Sequence, residues 1–402
     1  MSPSGRFEWS IVVLFVVLAA ISRSPALIIL AAGALVIGGV VWLTSHLALV
    51  AVDASVELST DRVVAGELLT ATVRIANRKP LPLPWLDVRL FLPEGLAPEG
   101  LQPGVPRGWV NAGFAPRGHE RITVRFPLVS TQRGAYIFGP LRLRASDWLG
   151  FLSIERSIPL DVSIVAYPQP LATRDRHLAS LRPLAETAVR RGLLPDPLRF
   201  RGVREHRSGD PRKEIHWKAS ARLRTLQTKL YEPATSLDAV FLVNVASYEQ
   251  YWVQADPEAV ELVVSASADL IRQAAAAGRQ VGLVTNGIDN ITHERPRSAL
   301  ARGPRSLTRS LEILARLGPY AANSPDVVFL AERGRIPWGA TLVVVTPVVS
   351  TALAAAMLAL RRAHHRVLAV SVSAPSAEAS TLLAGHQIAV DVLHPAELRR
   401  AG

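Results

Sequence analysis

The first fifty residues set the strongest constraint on what this chain can become. Residues 10–21 are almost wholly apolar, Ser22-Arg23-Ser24-Pro25 interrupt them, and residues 26–43 form a second uncharged run. The second run has about the length that spans a bilayer core. Trp9 and Trp42 stand near the outer ends, where amphipathic rings favour the interface. The first run is short, but Phe7 extends it, and Arg6 and Arg23 can snorkel toward water. The pattern predicts a transmembrane α-hairpin over residues 1–50, embedded in the lipid bilayer. A cleaved secretory signal with Arg6 in its basic region is the alternative; the second apolar run argues against it, because cleavage would leave that run exposed. Two spans put both ends on one side. Arg6 and the α-amine favour a cytoplasmic N-terminus, and Arg23 in the turn opposes it weakly. The expected location is the cell membrane, multi-pass, with the soluble part cytoplasmic.

The chain has 402 residues, 49% of them hydrophobic and 19% charged, which excludes a disordered chain and predicts two or three domains. It has no cysteine, so disulfide frameworks, thiolate zinc sites, iron–sulfur clusters and cysteine nucleophiles are excluded. Forty-five Lys+Arg against 33 Asp+Glu give a net charge of +12. Lys79, Lys213, Lys218 and Lys229 are the only lysines, and abundant Arg, Ala and Pro resemble the coding bias of a GC-rich genome. The basic balance is therefore not read as a nucleic-acid signal, although such a surface attracts anionic headgroups or an acidic partner.

Residues 51–168 change character. Residues 56–59, 68–76, 86–92, 121–128, 141–144 and 162–167 read as short strands; over 70–76 apolar and polar residues alternate as a half-buried strand requires. Gly66, Asn77, Gly95, Gly108, Gly113, Gly118, Gly134 and Gly139 punctuate them. Short strands with regular turn signals predict an antiparallel β-sandwich. No catalytic or metal-ligand spacing appears there, so it reads as a packing or interaction module.

Residues 169–235 form a linker and a basic motif. Ser208-Gly209 signals a turn, and Asp210-Pro211 has the chemistry of a helix start. A helix over 211–222 would set Ile215, Ala219 and Arg222 on one face and Trp217 and Ala221 on another. Leu226, Thr228 and Leu230 then alternate with Gln227, Lys229 and Tyr231 as in a strand. Three readings stand open. Arg204, Arg207, Arg212 and Arg222 can dock an anion or a partner; Asp210 can clamp Arg204 or Arg222 over a buried Trp217; or the stretch is a solvated face. His206 and His216 lack a companion at helical spacing that would complete a metal site.

Residues 236–402 alternate strands and helices. Residues 239–245, 280–285, 341–346, 366–372 and 388–393 read as strands, and 257–277, 305–317 and 351–362 as helices. That order predicts parallel crossovers and an open, doubly wound α/β sheet. Ligands on such sheets bind at the carboxyl ends of strands, here Asn244-Val245-Ala246-Ser247-Tyr248, Thr285-Asn286-Gly287 and Thr346-Pro347.

Arg204-Glu205-His206, Gly209-Asp210 and the run from Ile215-His216-Trp217-Lys218 to Ala219-Ser220-Ala221-Arg222 resemble a bacterial family of membrane-associated proteins. These carry a domain of unknown function, conventionally numbered fifty-eight, and are encoded beside MoxR-type AAA+ ATPases. Residues 133–140 (Arg-Gly-Ala-Tyr-Ile-Phe-Gly-Pro) and 147–151 (Asp-Trp-Leu-Gly-Phe) are similar to the family's lead-in. The resemblance runs from the hairpin to at least residue 250. His206 stands where an aromatic such as tyrosine is expected, and Lys213 where arginine is usual, which weakens a bidentate role there. The resemblance implies a von Willebrand factor A-like C-terminal domain. In that fold a metal site uses Asp-x-Ser-x-Ser after the first strand with a distant Thr and Asp. Asn244, Ala246 and Tyr248 hold the matching positions here, and Thr346-Pro347 replaces the third-strand Asp. A hard divalent cation needs several oxygen ligands, so these positions read as a degenerate site with no metal and no cofactor.

The resulting expectation is a membrane-anchored, non-enzymatic scaffold or adaptor. The resemblance makes a MoxR-type AAA+ ATPase its partner class, in assembly or maturation of a complex. Residues 204, 207, 209, 210, 212, 215, 217, 220 and 222 are the candidate docking or structural motif. Competing readings are a metal-dependent adhesion module and an uncharacterised enzyme using His206 with Asp210 or His216 with Glu214. The enzyme reading lacks any Gly-x-Ser-x-Gly elbow, phosphate loop or His-Glu-x-x-His motif. A nucleic-acid binder has only Phe200 and Trp217 in the basic segment as a stacking platform.

Overall fold

The computed structural model describes residues 2–3, 9–22, 24–100, 108–146, 153–171, 195–207, 210–233 and 238–393. Arg6, Phe7, Arg23, the 147–151 stretch and linker residues 172–194 lie outside the described residues. The chain divides into two compact units, Met1–Tyr167 and Pro168–Gly402.

In the first unit, a short strand β1 (Ser2–Pro3) precedes helices α1 (Trp9–Ser22) and α2 (Pro25–Leu47). At 1.5 Å per residue α1 is about 21 Å long and α2 about 35 Å, against a hydrocarbon core of about 30 Å. Among the described residues one helix, over Pro25–Thr44, is long and apolar enough to cross a membrane. The sequence predicts two such spans; helix α1 stops at Ser22, before Pro25 opens the next, and its 14 residues fall short. Apolar side chains are exposed along α2, with Ile29 71%, Leu30 59% and Val36 66% exposed, while Ala31 and Val41 are buried.

The exit from α2 is tied to the β-rich region. Ala48 and Leu49 enter its core. Lys79 Nζ donates to the carbonyls of Leu47, at 2.5 Å, and Ala48, satisfying acceptors that a helix C-terminus leaves open. The Arg78 N–H donates to the Ala51 carbonyl at 2.9 Å. Burial lowers the Lys79 ammonium to about 8.

Strands β2 (Val52–Leu58), β3 (Arg62–Val64), β4 (Leu68–Asn77), β5 (Trp85–Phe91), β6 (Leu96–Pro98), β7 (Trp109–Phe114), β8 (Arg121–Ser130), β9 (Gly134–Ile137), β10 (Leu141–Ser146), β11 (Ser153–Ile158) and β12 (Ser163–Tyr167) follow. They form sheets ordered β1-β11-β10-β5-β7, β2-β4-β8-β6 and β3-β12-β9. All pairings are antiparallel except β3 with β12. Alternation does its expected work in β4, where Leu69, Ala71, Val73 and Ile75 are buried and join Leu86, Val88 and Leu90 of β5 and Leu141 and Leu143 of β10 in one core. The Arg133–Pro140 segment is a packing device. The Tyr136 hydroxyl donates to the carbonyls of Gln132 (2.7 Å) and Arg133 (3.1 Å). A Cβ on Gly95 would come within 2.3 Å of that hydroxyl and 2.6 Å of the ring, and Gly95 also has φ +94°, a conformation that favours glycine.

The second unit opens with the hairpin strands β13 (Pro195–Glu205) and β14 (Gln227–Pro233), with helix α3 (Trp217–Leu223) between them. Then come β15 (Ala239–Val243), α4 (Pro257–Ala276), β16 (Val281–Thr285), β17 (Gly287–Asp289), β18 (Arg297–Ala301), α5 (Pro304–Arg316), β19 (Leu317–Ala321), α6 (Pro325–Ala331), β20 (Thr341–Thr346), α7 (Thr351–Arg362), β21 (Arg366–Ser371), α8 (Ala377–Gly385) and β22 (Val390–Val392). Helix α4 begins where Asp256 accepts from the N–H groups of Glu258 and Ala259 and Pro257 fills the first position. The six-stranded sheet has the order β18-β16-β15-β20-β21-β22. Every residue of β15, β16 and β20 is buried, as continuous apolar strands covered on both faces require. The sheet is mixed rather than wholly parallel: β18 runs antiparallel to β16. The chain reaches it through a tight return after β17 instead of a helical crossover, so no right-handed parallel connection is imposed.

The lysine at the helix exit gives a pH signature. Unfolded, Lys79 keeps its proton to about 10.5, whereas the folded chain releases it near 8. Between those values the unfolded state binds the extra proton, so stability rises with pH; below about 8 both states are protonated and the slope vanishes. Thermal unfolding of the detergent-solubilised chain, followed by circular dichroism from pH 7.5 to 10.5 (about the window set by these two values), should show a rise that Lys79→Met lacks.

Candidate functional site

The hairpin places Arg204 opposite Thr228 and Glu205 opposite Gln227. The residues between its strands fold back onto β14. Ile215 is buried and bridges to Thr228, and the His216 N–H donates to the Gln227 carbonyl at 2.7 Å. The sequence predicts one helix over 211–222 started by Asp210. Instead a 3-10 turn spans Arg212–Glu214, Ile215 is extended, and α3 begins at Trp217 with His216 as its cap. The Ala219 N–H donates to His216 Nδ1 at 3.0 Å. Ser220 Oγ donates to the His216 carbonyl and accepts from the Gln227 N–H at 2.8 Å, tying α3 to β14. The helix breaks because Ile215 follows β14 in extended pairing, and one backbone cannot be helical and strand-paired at the same residue.

Asp210 serves the turn instead. Arg204 donates in bidentate fashion, Nη1 to Oδ2 at 2.8 Å and Nη2 to Oδ1 at 2.7 Å. The Arg207 N–H donates to Asp210 Oδ2 at 2.9 Å, and the Thr228 hydroxyl donates to the same oxygen at 3.3 Å. His206 Nδ1 lies 2.9 Å from Thr228 Oγ1 and 3.8 Å from Asp210 Oδ2. The Arg204 guanidinium, followed by the Arg207 amide, holds the Asp210 carboxyl well below the usual carboxylate range. Asp210 in turn raises Arg204.

Around this brace the surface is open. Trp217 is 69% exposed, and Arg207, Arg212, Lys213, Lys218, Arg222 and Arg224 are exposed with it, as are Phe200, Leu223 and Leu226. Residues 199–224 hold nine Lys+Arg and three Asp+Glu, and Asp210 is already taken by Arg204. Of the motif residues, Arg204, Asp210, Ile215 and Ser220 are therefore internal ties. Arg207, Arg212, Trp217 and Arg222 face solvent, and Gly209 lies outside the described residues. Trp217 is not buried and Asp210 is bonded to Arg204 rather than Arg222. Thr228 escaped the sequence reading; a polar residue on the face it shares with Leu226 and Leu230 was its only signal.

The carboxyl edge of the six-stranded sheet is occupied by its own amides. Asn244 is buried and donates through Nδ2 to Thr346 Oγ1 at 2.8 Å. Its Oδ1 accepts from the Ala246 N–H and from Asn286 Nδ2, both at 2.8 Å. Asn286 Oδ1 accepts from the Val245 N–H at 2.9 Å, and its Nδ2 also reaches the Asn323 carbonyl. Thr346 Oγ1 donates to the Val348 carbonyl. Ser247 Oγ accepts from the Asp256 N–H at 3.0 Å, and Tyr248 is 45% exposed. Among the described residues no group of three His, Cys, Asp or Glu is placed to hold a metal ion. The side-chain oxygens of Asn244, Asn286 and Thr346 are neutral and bonded, whereas the buried Ser371 hydroxyl beside Thr346 has no partner among the described residues.

Residues 202–385 match the family described as "Protein of unknown function DUF58". The matched stretch runs from the middle of β13 to the end of α8, taking in the braced hairpin and most of the mixed sheet, and it is just under half of the chain. The "Uncharacterized protein YeaD" of Bacillus subtilis (strain 168) is 25% identical over 245 residues, which is 58% of this chain and 56% of that protein. The chain thus spans about half the length of the curated relative it matches. Among solved structures, the CARDB domain of the PF1109 protein from Pyrococcus furiosus is 17% identical, with 27% of this chain and 96% of that one covered at a TM-score of 0.18. A non-cellulosomal cohesin from Archaeoglobus fulgidus is 14% identical, with 27% and 92% covered and a TM-score of 0.17. At such scores the likeness carries no inference about this chain.

Removing the Asp210 charge should free the turn while leaving the sheet alone. In Asp210→Asn, amide hydrogen exchange at Arg207 and Gln227 is expected to accelerate, with Val245 and Ala246 unchanged. Because the folded carboxyl is depressed, its stabilisation is present above the ordinary carboxylate range and is lost as pH falls below about 4. The wild-type chain should therefore approach the variant's exchange pattern only in acid.

Proposed function

We propose that this chain is a membrane-anchored, non-enzymatic docking protein whose braced hairpin presents Trp217 and its cationic neighbours to an acidic surface on a protein partner. The observation that carries the reading is the exposure of Trp217 on a turn whose own carboxylate is fully engaged. A large aromatic left bare among arginines has the composition of an interface core rather than of an ordinary solvated face. The surplus of positive charge steers an acidic partner to it. The resemblance noted above makes a MoxR-type AAA+ ATPase the partner class, acting with this chain in assembly or maturation of a complex.

The remaining parts fit that role. Helix α2 tethers the chain, with α1 completing a hairpin and the soluble part on the cytoplasmic side, and the β-rich region serves as a sandwich-like spacer. The strand order with an antiparallel edge suits a von Willebrand factor A-like domain whose ion site has been replaced by the Asn244–Asn286–Thr346 network, so binding falls to the protein surface rather than to a bound cation.

Affinity capture from detergent-solubilised membranes tests the reading. Full-length bait should retain the host's MoxR-type ATPase, and Trp217→Ala should reduce its recovery about tenfold or more, the loss expected for an aromatic hot spot. Absence of that ATPase, or equal recovery with the variant, would count against the proposal.

A further inference from the structure

A second cationic locus lies on the mixed sheet, apart from both the hairpin and the closed edge at Asn244. Arg297 of β18, Arg309 of α5 and Glu332 and Arg335 of the 3-10 turn after α6 line a cavity of about 340 Å³, with Val284 and Ile336 among its apolar walls. That volume sits at the small end of the range of ligand pockets.

The charges in it do not balance. Glu332 has a side chain only 6% exposed and accepts from Arg335 Nη1 at 2.7 Å. Arg297 approaches the same carboxylate at 3.6 Å and Arg295 at 4.0 Å, contacts too long to be hydrogen bonds. Arg309 pairs with no carboxylate among the described residues. A buried carboxylate requires a partner, and Arg335 meets that need. The other guanidinium groups are then surplus, gathered in a concavity where like charges raise the local concentration of a counter-ion. Glu332 orients Arg335 and keeps its fork at the cavity wall, while Arg297 and Arg309 keep free donors.

We propose that this pocket binds a small organic dianion, a phosphate monoester or a dicarboxylate. Its oxygens would be held by Arg297, Arg309 and Arg335 and its carbon portion would rest on the apolar wall. Guanidinium forks match both oxyanions, and a dianion offsets the excess left after Glu332.

Calorimetric titration of the full-length chain in neutral detergent tests this, with phenyl phosphate and succinate as separate probes. Saturable one-to-one binding of either supports the site, and the tighter probe identifies which class supplies the dianion. Arg297→Gln/Arg309→Gln should weaken that binding about tenfold or more, as expected for loss of charge-assisted hydrogen bonds. Arg309→Gln alone, which removes no ion pair, should weaken it without changing the unfolding midpoint. Arg212→Gln/Lys218→Gln on the hairpin should leave it intact. Binding of neither probe, undiminished binding in the pocket variants, or equal loss in the hairpin variant would overturn the proposal, whatever the outcome of ATPase capture.

Discussion

One carboxylate organises the turn on which the functional reading depends. Asp210 accepts both arms of the Arg204 guanidinium, the Arg207 amide and the Thr228 hydroxyl. It thereby joins the end of β13 to β14 and fixes the path of the chain into the 3-10 turn. From there Ile215 is drawn into the hairpin and His216 starts α3, which leaves Trp217 outside. The exposure of the aromatic follows from the brace. A bidentate pair that also collects a main-chain donor holds geometry better than a lone surface ion pair, whose contribution is small.

Polar groups are deployed in opposite ways elsewhere in the second unit. At the sheet's carboxyl edge, where an open α/β sheet ordinarily receives ligands, Asn244, Asn286 and Thr346 bond one another and nearby main chain. Such a network rigidifies the edge when every member is satisfied. On the hairpin and at the Glu332 cavity, guanidinium groups outnumber the carboxylates near them. Both loci reflect a chain whose positive charge is almost all arginine.

The fold was legible in the sequence wherever local pattern decides structure. The alternation in β4, the apolar runs of β15 and β20, and the bounds of α4 all fall within a residue or two of expectation. Long-range pairing was not legible. Arg297–Ala301 has no strong strand signal and is a strand because β16 offers it an edge. Helix α6 is seven residues and too short to show a period. Within the site, the Asp210-Pro211 pair carried a true capping chemistry, yet the tertiary pull of Ile215 toward Thr228 moved the helix start to Trp217. The clamp on Arg204 was among the sequence readings; Thr228 and the cap made by His216 were not, because both roles depend on the hairpin having formed.

Lysine scarcity offers a direct test of docking at the hairpin. Lys213 and Lys218 flank Trp217, while Lys79 sits at the exit of α2 in the other unit. Amine acylation of the full-length chain, read by mass spectrometry with and without the MoxR-type ATPase, reports each site separately. Docking at this face predicts severalfold slower labelling of Lys213 and Lys218 in the complex with Lys79 unchanged. Equal labelling of all three, with the ATPase bound, would place the interface elsewhere and contradict the central claim.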